Sequence, residues 1–407
     1  MRVDHLSLKN FRNYTRLELS IPESIVVVHG ANAQGKTSLL EAIYYLATAS
    51  SPYTNSDRQL MNWRMANDFV PFTQVGADVV SAKNALNRVE IILMMEKLAD
   101  GNERFRKEVR INGVSKRNHD LQGLLGVVMF LPQDMALIEG PPANRRRYLD
   151  LTLCQVNTNY GQALNTFDKA LTQRNALLRR ISENMASVDE LPYWDNELAT
   201  AAATVIAGRQ RFIRELELLA NRIHRDLSGG EEDLQLVYRP SFEPTASGDN
   251  QQSFSVLGLD HHRQLEPEAI MPQYREALVA TRHEETRRGI TLIGPQRDEM
   301  RFVVNGRDLG DFGSRGQSRT GVLALKLAEL EWMHRTLGEW PVLLLDEVVA
   351  ELDSSRRRYL LSRIQHARQV LLTTTELGTL TEEFTAKAVL WHVETGQIMP
   401  LHESDVL

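Results

Sequence analysis

The eight residues Gly30-Ala31-Asn32-Ala33-Gln34-Gly35-Lys36-Thr37 fit the pattern G-x-x-x-x-G-K-[ST]. They follow the β-branched run Ile25 to Val28 and open a segment in which Leu39, Leu40, Ile43, Leu46 and Ala47 recur at helical spacing. A strand that turns through glycines straight into a helix predicts an α/β arrangement. The glycines permit the turn, and the first N–H groups of the helix are left facing whatever lies before them. Such a turn cradles phosphate. Lys36 would reach β- and γ-phosphates, and the Thr37 hydroxyl a Mg²⁺ ion. Alone, the pattern indicates a nucleoside triphosphate and no particular reaction.

At 407 residues the chain can build one large α/β unit or two to three smaller ones. Its formal net charge of −6 argues against coating nucleic acid with the whole surface, while leaving room for a local basic patch. No apolar run is long enough to cross a bilayer, and the start Met1-Arg2-Val3-Asp4-His5 lacks a signal-peptide core, so a cytoplasmic protein is expected. The single Cys154 rules out an internal disulfide and a multi-cysteine metal site. Its neighbours Leu153 and Val156 predict a packed thiol rather than a nucleophile.

Leu6 and Leu8 alternate with His5, Ser7 and Lys9, and a second strand is expected around Leu17 to Ile21. Further strands are read at Val75 to Val80, Val89 to Met94 and Val109 to Ile111, the last turning at Asn112-Gly113. After Pro141-Pro142 the pattern turns helical. Tyr160, Leu164, Phe167 and Leu171 share one helix face; Trp194, Leu198, Ala202, Ile206, Ile213 and Leu216 share another. The polar stretch Ser182 to Pro192 between them predicts a helical hairpin without a sustained heptad register. The span Pro240 to His262, rich in Ser, Asp, Asn, Gln and Gly, reads as an exposed loop. Central parallel strands are expected at Val342 to Leu345 and Val370 to Leu372. The expected organisation is therefore an α/β half over 1–144, a helical insertion over 145–288 and a second α/β half over 289–407.

Asp346 and Glu347 end the first of those central strands, at the carboxyl edge where doubly wound sheets bind ligands. One carboxylate there can hold Mg²⁺, and the next can orient or deprotonate an attacking water; a strand ending in a solvated turn is the bland alternative. Between the phosphate loop and this pair lies Ser314-Arg315-Gly316-Gln317-Ser318-Arg319, followed by a stripe of Leu323, Leu327, Leu330 and Met333. Serine, glycine and N–H groups at a helix start make a second anion site by the same dipole argument, or simply a helix cap. Two such starts suggest that one grips the nucleotide in cis and the other meets the nucleotide of a second subunit.

The order of these motifs, with Gln133 after the strand Val127 to Leu131 and Ala350-Glu351-Leu352-Asp353 after the acidic pair, resembles the ATPase head shared by ABC transporters, SMC proteins and their repair relatives. More narrowly, the chain resembles the bacterial RecF family. The likeness is carried by Asn10-Phe11-Arg12-Asn13-Tyr14, Leu39 to Tyr45, Pro132-Gln133-Asp134, Gly140-Pro141 with Arg145 to Asp150, Gln173-Arg174-Asn175, Gly294-Pro295-Gln296-Arg297-Asp298 and the Ser314 to Lys326 block. The resemblance implies an α/β, ABC-type P-loop ATPase head with a helical insertion (lobe II). Gly30 to Thr37 would be the Walker A loop, with Arg12 beside the nucleotide. Asp346 would be the Walker B magnesium residue, Glu347 the catalytic base and Gln133 the Q-loop residue sensing magnesium and water. Ser314, Gly316 and Gln317 would be the signature and Asp353 the D-loop. ATP and Mg²⁺ are the implied cofactors. An ATP-dependent homodimer, weak DNA-stimulated hydrolysis and action with RecR and RecO on gapped DNA, in repair, replication-gap recovery and SOS induction, are the implied function. The family usually has Asp where Glu347 stands, His where Gln296 stands and Arg where Tyr53 stands. Thr374 or Thr375 would occupy the switch position.

The densest basic clusters are Arg145-Arg146-Arg147, Arg174, Arg179-Arg180 and Arg287-Arg288. Taken singly, each is explained by a solvated helix face or by salt bridges; together, under the resemblance, they imply contact with the phosphate backbone of duplex DNA. Three other classes compete with a repair ATPase. A transporter head needs a membrane partner, an SMC-like architectural protein needs long heptads, and a small-molecule kinase leaves the Ser314 segment unused.

Overall fold

The computed structural model describes residues 1–63, 71–81, 83–97, 103–244 and 264–401. The chain divides into two compact units, Met1–Asp134 with Glu329–Leu407, and Met135–Ala328. In chain order the strands are β1 (Arg2–Phe11), β2 (Tyr14–Ser20), β3 (Ile25–His29), β4 (Phe72–Val80), β5 (Leu86–Lys97), β6 (Glu103–Ile111), β7 (Val114–Lys116) and β8 (Val127–Phe130) in the first unit. The second unit holds β9 (Leu234–Arg239), β10 (Glu299–Val304) and β11 (Arg307–Asp308). The first unit resumes with β12 (Val342–Asp346), β13 (Val370–Thr374), β14 (Ala388–Glu394) and β15 (Gln397–Pro400).

Two six-stranded sheets build the first unit. One is antiparallel, in the order β2-β1-β4-β5-β6-β7. Its last turn is the expected Asn112-Gly113, with φ of 52° and 79°. Positive φ at both central residues is what a two-residue hairpin of the right twist requires. The other sheet has the order β15-β14-β3-β13-β12-β8, parallel from β14 to β8. Val26 to Val28, Leu343 to Leu345 and Leu371 to Leu372 are all fully buried, as continuous apolar runs covered on both faces must be. The helix Lys36–Thr48 packs Leu39, Leu40, Ile43 and Leu46 into the same core. Fully burying each such side chain stabilises the fold by about 1.5–3 kcal/mol.

Parallel register fixes where the chemistry can sit. Leu345 pairs with both Leu372 and Phe130, and Val28 pairs with Thr373. The carboxyl ends of β3, β13, β12 and β8 therefore share one edge, which receives the phosphate loop, Glu347 and Gln133.

The second unit contains the helical hairpin, with arms Thr158–Ser182 and Leu191–Leu227, joined by Pro142–Val156 and Pro267–Arg288. Phe167, Leu198, Ala202 and Ile206 form its core with Ile270, Tyr274 and Leu278. The units divide at 134/135 and 328/329, where the sequence pattern suggested 144/145 and 288/289. The reason for the later division is strand pairing: β10 pairs antiparallel with β9 from Glu299↔Arg239 to Val304↔Leu234. Residues after 288 are thereby tied to the helical part, and periodicity does not disclose a strand's partner. The later boundary falls within the helix Arg315–Leu337, which buries Leu323, Leu327, Leu330 and Met333 as expected. Of the loop expected over 240–262, residues 245–262 lie outside the described residues.

Candidate functional site

Two hairpin turns hold the Gly30 to Thr37 loop. From the β1–β2 turn, Asn13 Nδ2 donates to the Gln34 carbonyl at 2.9 Å and the Tyr14 hydroxyl to the Gly35 carbonyl at 3.0 Å. From the β14–β15 turn, the Thr395 N–H donates to Gln34 Oε1 at 2.6 Å and the Gly396 N–H to the Gln34 carbonyl at 3.0 Å. Gln34, expected at the nucleotide, thus spends its oxygens on fixing the loop. Glycine is required by close approach: a Cβ on Gly30 would lie 2.4 Å from the Val393 carbonyl oxygen, and one on Gly35, at φ 121°, 2.7 Å from Asn13 Nδ2. Gly35 starts the helix and supplies no side-chain cap, so its first N–H groups are left for an anion.

The loop opens on a cavity of about 920 Å³, lined by Asn32, Ala33, Lys36 and Thr37 with Arg12 and Glu347. Its volume suits a nucleotide-sized ligand. Arg12 reaches this cavity with its guanidinium already clamped. Nε and Nη2 donate to the two oxygens of buried Glu41 at 2.8 and 2.7 Å, and Nη1 donates to the Gln59 carbonyl at 2.9 Å.

The acidic pair meets the loop directly. Lys36 is 3% exposed; its Nζ donates to the Gly30 carbonyl at 2.8 Å and pairs with Glu347 Oε1 at 3.1 Å. Glu347 stands at φ 54°, a left-handed conformation that costs a non-glycine residue of order 1 kcal/mol and clusters at functional sites. Its N–H is held by the Thr373 hydroxyl at 3.0 Å. The Thr37 hydroxyl lies 3.0 Å from each Asp346 oxygen. One hydroxyl and one carboxylate, both hard oxygen donors, suit a magnesium ion completed by phosphates and water. Among the described residues no group of three or more His, Cys, Asp or Glu could hold a metal unaided. Gln133 is exposed in the turn Pro132–Met135, just past β8 on the same edge. Asp353 caps the helix Ser354–Ile364, accepting from the Ser355 and Arg356 N–H groups at 3.0 and 2.9 Å.

Two partners of Asp346 escaped the sequence reading. The Thr373 hydroxyl donates to Oδ1 at 2.8 Å and the Tyr53 hydroxyl to Oδ2 at 2.6 Å. The switch position was expected at Thr374 or Thr375, yet Thr374 turns its hydroxyl to the Glu376 carbonyl. Burial, and then the charge of Asp346, push the Tyr53 phenol well above its ordinary range, so it remains a donor. No spacing rule marks Tyr53; only its departure from the family pattern drew notice to it.

In the second unit the Ser314 segment satisfies itself. The Ser314 N–H donates to Gln317 Oε1 at 3.0 Å, and the Gln317 N–H to Ser314 Oγ at 3.2 Å, a reciprocal capping arrangement. Gln317 Nε2 donates to Glu232 Oε1 at 2.8 Å, and Glu232 Oε2 lies 2.9 Å from Nε2 of fully buried His224. Ser314 and Gly316 are exposed.

The basic clusters separate by burial. Arg174 is fully buried and bonds Asp195, Glu285 and Thr291 at 2.7–2.8 Å. Arg145, 3% exposed, pairs with Glu299 at 2.6 Å. Neither can touch DNA, which corrects the expectation: a helix stripe shows charge, not which face it occupies. Arg146 is half-buried, its Nη1 donating to the Asp298 carbonyl at 2.9 Å. Arg147, Arg179 and Arg180 are exposed, as are Arg287 and Arg288, both bonded to Glu284. The helices bearing Arg179 and Arg288 end side by side, since a Cβ on Gly289 would lie 3.4 Å from the Arg179 Cα. Burial pushes the Cys154 thiol up to about 12, which leaves it inert as expected.

Residues 2–396 match the family model described as RecF/RecN/SMC N terminal domain. The chain is 40% identical to the DNA replication and repair protein RecF of Herpetosiphon aurantiacus over 98% of this chain and 100% of that protein. It is 43% identical to the protein of that name from Chloroflexus aggregans, over 98% and 99%. Among solved structures it is similar to the recombination mediator protein RecF with ATP in the RecFOR pathway, with a TM-score of 0.81 and 27% identity over 98% of this chain and 97% of that one. An SMC head bound to the winged-helix domain of ScpA shares the fold, at a TM-score of 0.51 and 12% identity.

Proposed function

We propose, from the premise that this chain belongs to the RecF family of RecF/RecN/SMC ATPase heads, that it is an ATP-dependent DNA-binding recombination mediator. No helix among the described residues is long and apolar enough to cross a membrane. In this reading ATP closes two copies on DNA and slow hydrolysis releases them. The observation that carries it is the convergence of Lys36, Thr37, Asp346 and Glu347 on one sheet edge beside the 920 Å³ cavity.

The residues divide the work. Lys36 exchanges its bond to Glu347 for the β- and γ-phosphates, which frees the Glu347 carboxylate to accept a proton from the attacking water. Thr37 and Asp346 would hold Mg²⁺, which when bound neutralises charge on the phosphates. Gln133, on the same edge, is suited to orient the water. Ser314, Gly316 and Gln317 serve the nucleotide of a second copy, and Asp353 lies at that contact. Exposed Arg147, Arg179 and Arg180 supply the sequence-independent grip on DNA phosphates. RecR and RecO are the partner proteins of this reading, and gapped duplex its substrate.

Glu347→Gln tests the chemistry. ATP should still bind while turnover falls by at least about 100-fold, the scale of one general base; normal turnover would remove Glu347 from the mechanism. Arg179→Glu with Arg180→Glu should abolish ATP-dependent DNA retention, and unchanged retention places the DNA face elsewhere.

A further inference from the structure

Asp346 is held from both sides by hydroxyls. Thr373 bonds Oδ1, Tyr53 bonds Oδ2, and Thr37 lies 3.0 Å from each. Thr37 has a second task in the proposed function, at the cation, and the Thr373 hydroxyl also accepts the Glu347 N–H at 3.0 Å; the Tyr53 hydroxyl donates to Oδ2 of Asp346. A carboxylate with one donor on each oxygen cannot rotate freely, so its remaining lone pairs stay aimed in one direction. Tyr53 does this as a neutral phenol. The phenol orients the carboxylate by a hydrogen bond and adds no charge of its own.

Tyr53 is itself anchored. Ser51 Oγ accepts the N–H groups of Tyr53 and Thr54 at 3.0 and 3.2 Å, and donates to Glu41 Oε1 at 2.5 Å. The same Glu41 takes the fork of Arg12, which lines the cavity. An unbroken series of bonds therefore runs from Arg12 through Glu41, Ser51 and Tyr53 to Asp346. Glu41 and Ser51, in the middle of it, are 2% and 1% exposed, so water does not compete there.

We infer that Tyr53 is a positioning residue that sets the strength with which Mg²⁺ accompanies the nucleotide, and that Arg12 and Asp346 are coupled through it. The inference rests on Asp346 being the carboxylate that faces Mg²⁺. Removing an outer-shell partner of a metal ligand typically lowers metal affinity about 10- to 100-fold.

The test is an equilibrium titration of a fluorescent ATP analogue against the full-length protein, over a series of MgCl₂ concentrations and with EDTA in place of Mg²⁺. Tyr53→Phe, which keeps the ring, should raise the Mg²⁺ concentration for half-maximal binding at least about 10-fold and leave binding in EDTA unchanged. Ser51→Ala should shift the midpoint the same way by less. An unshifted midpoint in Tyr53→Phe, or an equal loss of binding with and without Mg²⁺, overturns the role of Tyr53. If Asp346→Asn does not move the midpoint either, the assignment of Asp346 falls, and the inference with it.

Discussion

Two helices in this molecule begin with glycine and small polar residues, and they treat their first N–H groups in opposite ways. At Lys36–Thr48 the leading residue is Gly35, which offers no side-chain cap, and the neighbouring turns spend their hydrogen bonds on Gln34 and the loop carbonyls. At Arg315–Leu337 the side chains of Ser314 and Gln317 satisfy each other's N–H groups. Read as sequence, both are helix dipoles awaiting an anion. As structure, the first is a site built in advance, while the second is closed on itself and must exchange capping bonds worth about 1 kcal/mol for any ligand. Under the proposed function, that exchange would occur when a second copy presents its nucleotide.

The comparison extends to the charges around each start. Lys36 faces a cavity, whereas Arg174 in the second unit is spent on a buried network with Asp195 and Glu285. Arg174→Ala should therefore cost about 3–5 kcal/mol of stability, because two buried carboxylates lose their partner. Urea unfolding measures it, and a change near zero would break the distinction between buried and surface arginines. Lys36→Ala should weaken ATP binding by at least about 2 kcal/mol, roughly 30-fold, as judged by titration calorimetry. Ser314→Ala should leave that affinity unchanged in the monomer and cost about 1 kcal/mol of helix stability. Equal losses of ATP affinity in the two variants would erase the difference between the helix starts.

The smallest effect is a pH dependence. Burial first, then His392 and Lys36, lower the His29 value at the end of β3. Between the ordinary value near 6.5 and the lowered one, the unfolded chain binds a proton that the folded chain resists, so stability falls as pH drops through that window. His29→Asn should flatten the fall in the urea midpoint between about pH 7 and pH 5; an unaltered slope assigns it to other groups.

How much was legible follows from what each residue's signal depends on. The phosphate loop, the central strands and Asp346-Glu347 rest on local order: apolar runs, glycine spacing and a strand end. All of these sit where the sequence put them, together with the Asn112-Gly113 hairpin and the Leu323 to Met333 stripe. Residues whose role comes from a distant partner were not legible. Arg174 reads as surface charge until Glu285 and Asp195 close over it, and Tyr53 acquires meaning only across the gap to Asp346, nearly three hundred residues away. The later unit boundary was missed for the same reason, because β10 joins β9 through pairing that no periodicity announces.

The claim that one chain's phosphate loop is completed by another chain's Ser314 segment is tested most directly by sedimentation velocity, with and without ATP and a gapped duplex. The wild-type chain should sediment as a monomer alone and as a dimer with ATP. Ser314→Arg should bind ATP normally in a parallel titration and stay monomeric. A Ser314→Arg chain that dimerises with ATP as the wild type does would contradict the account.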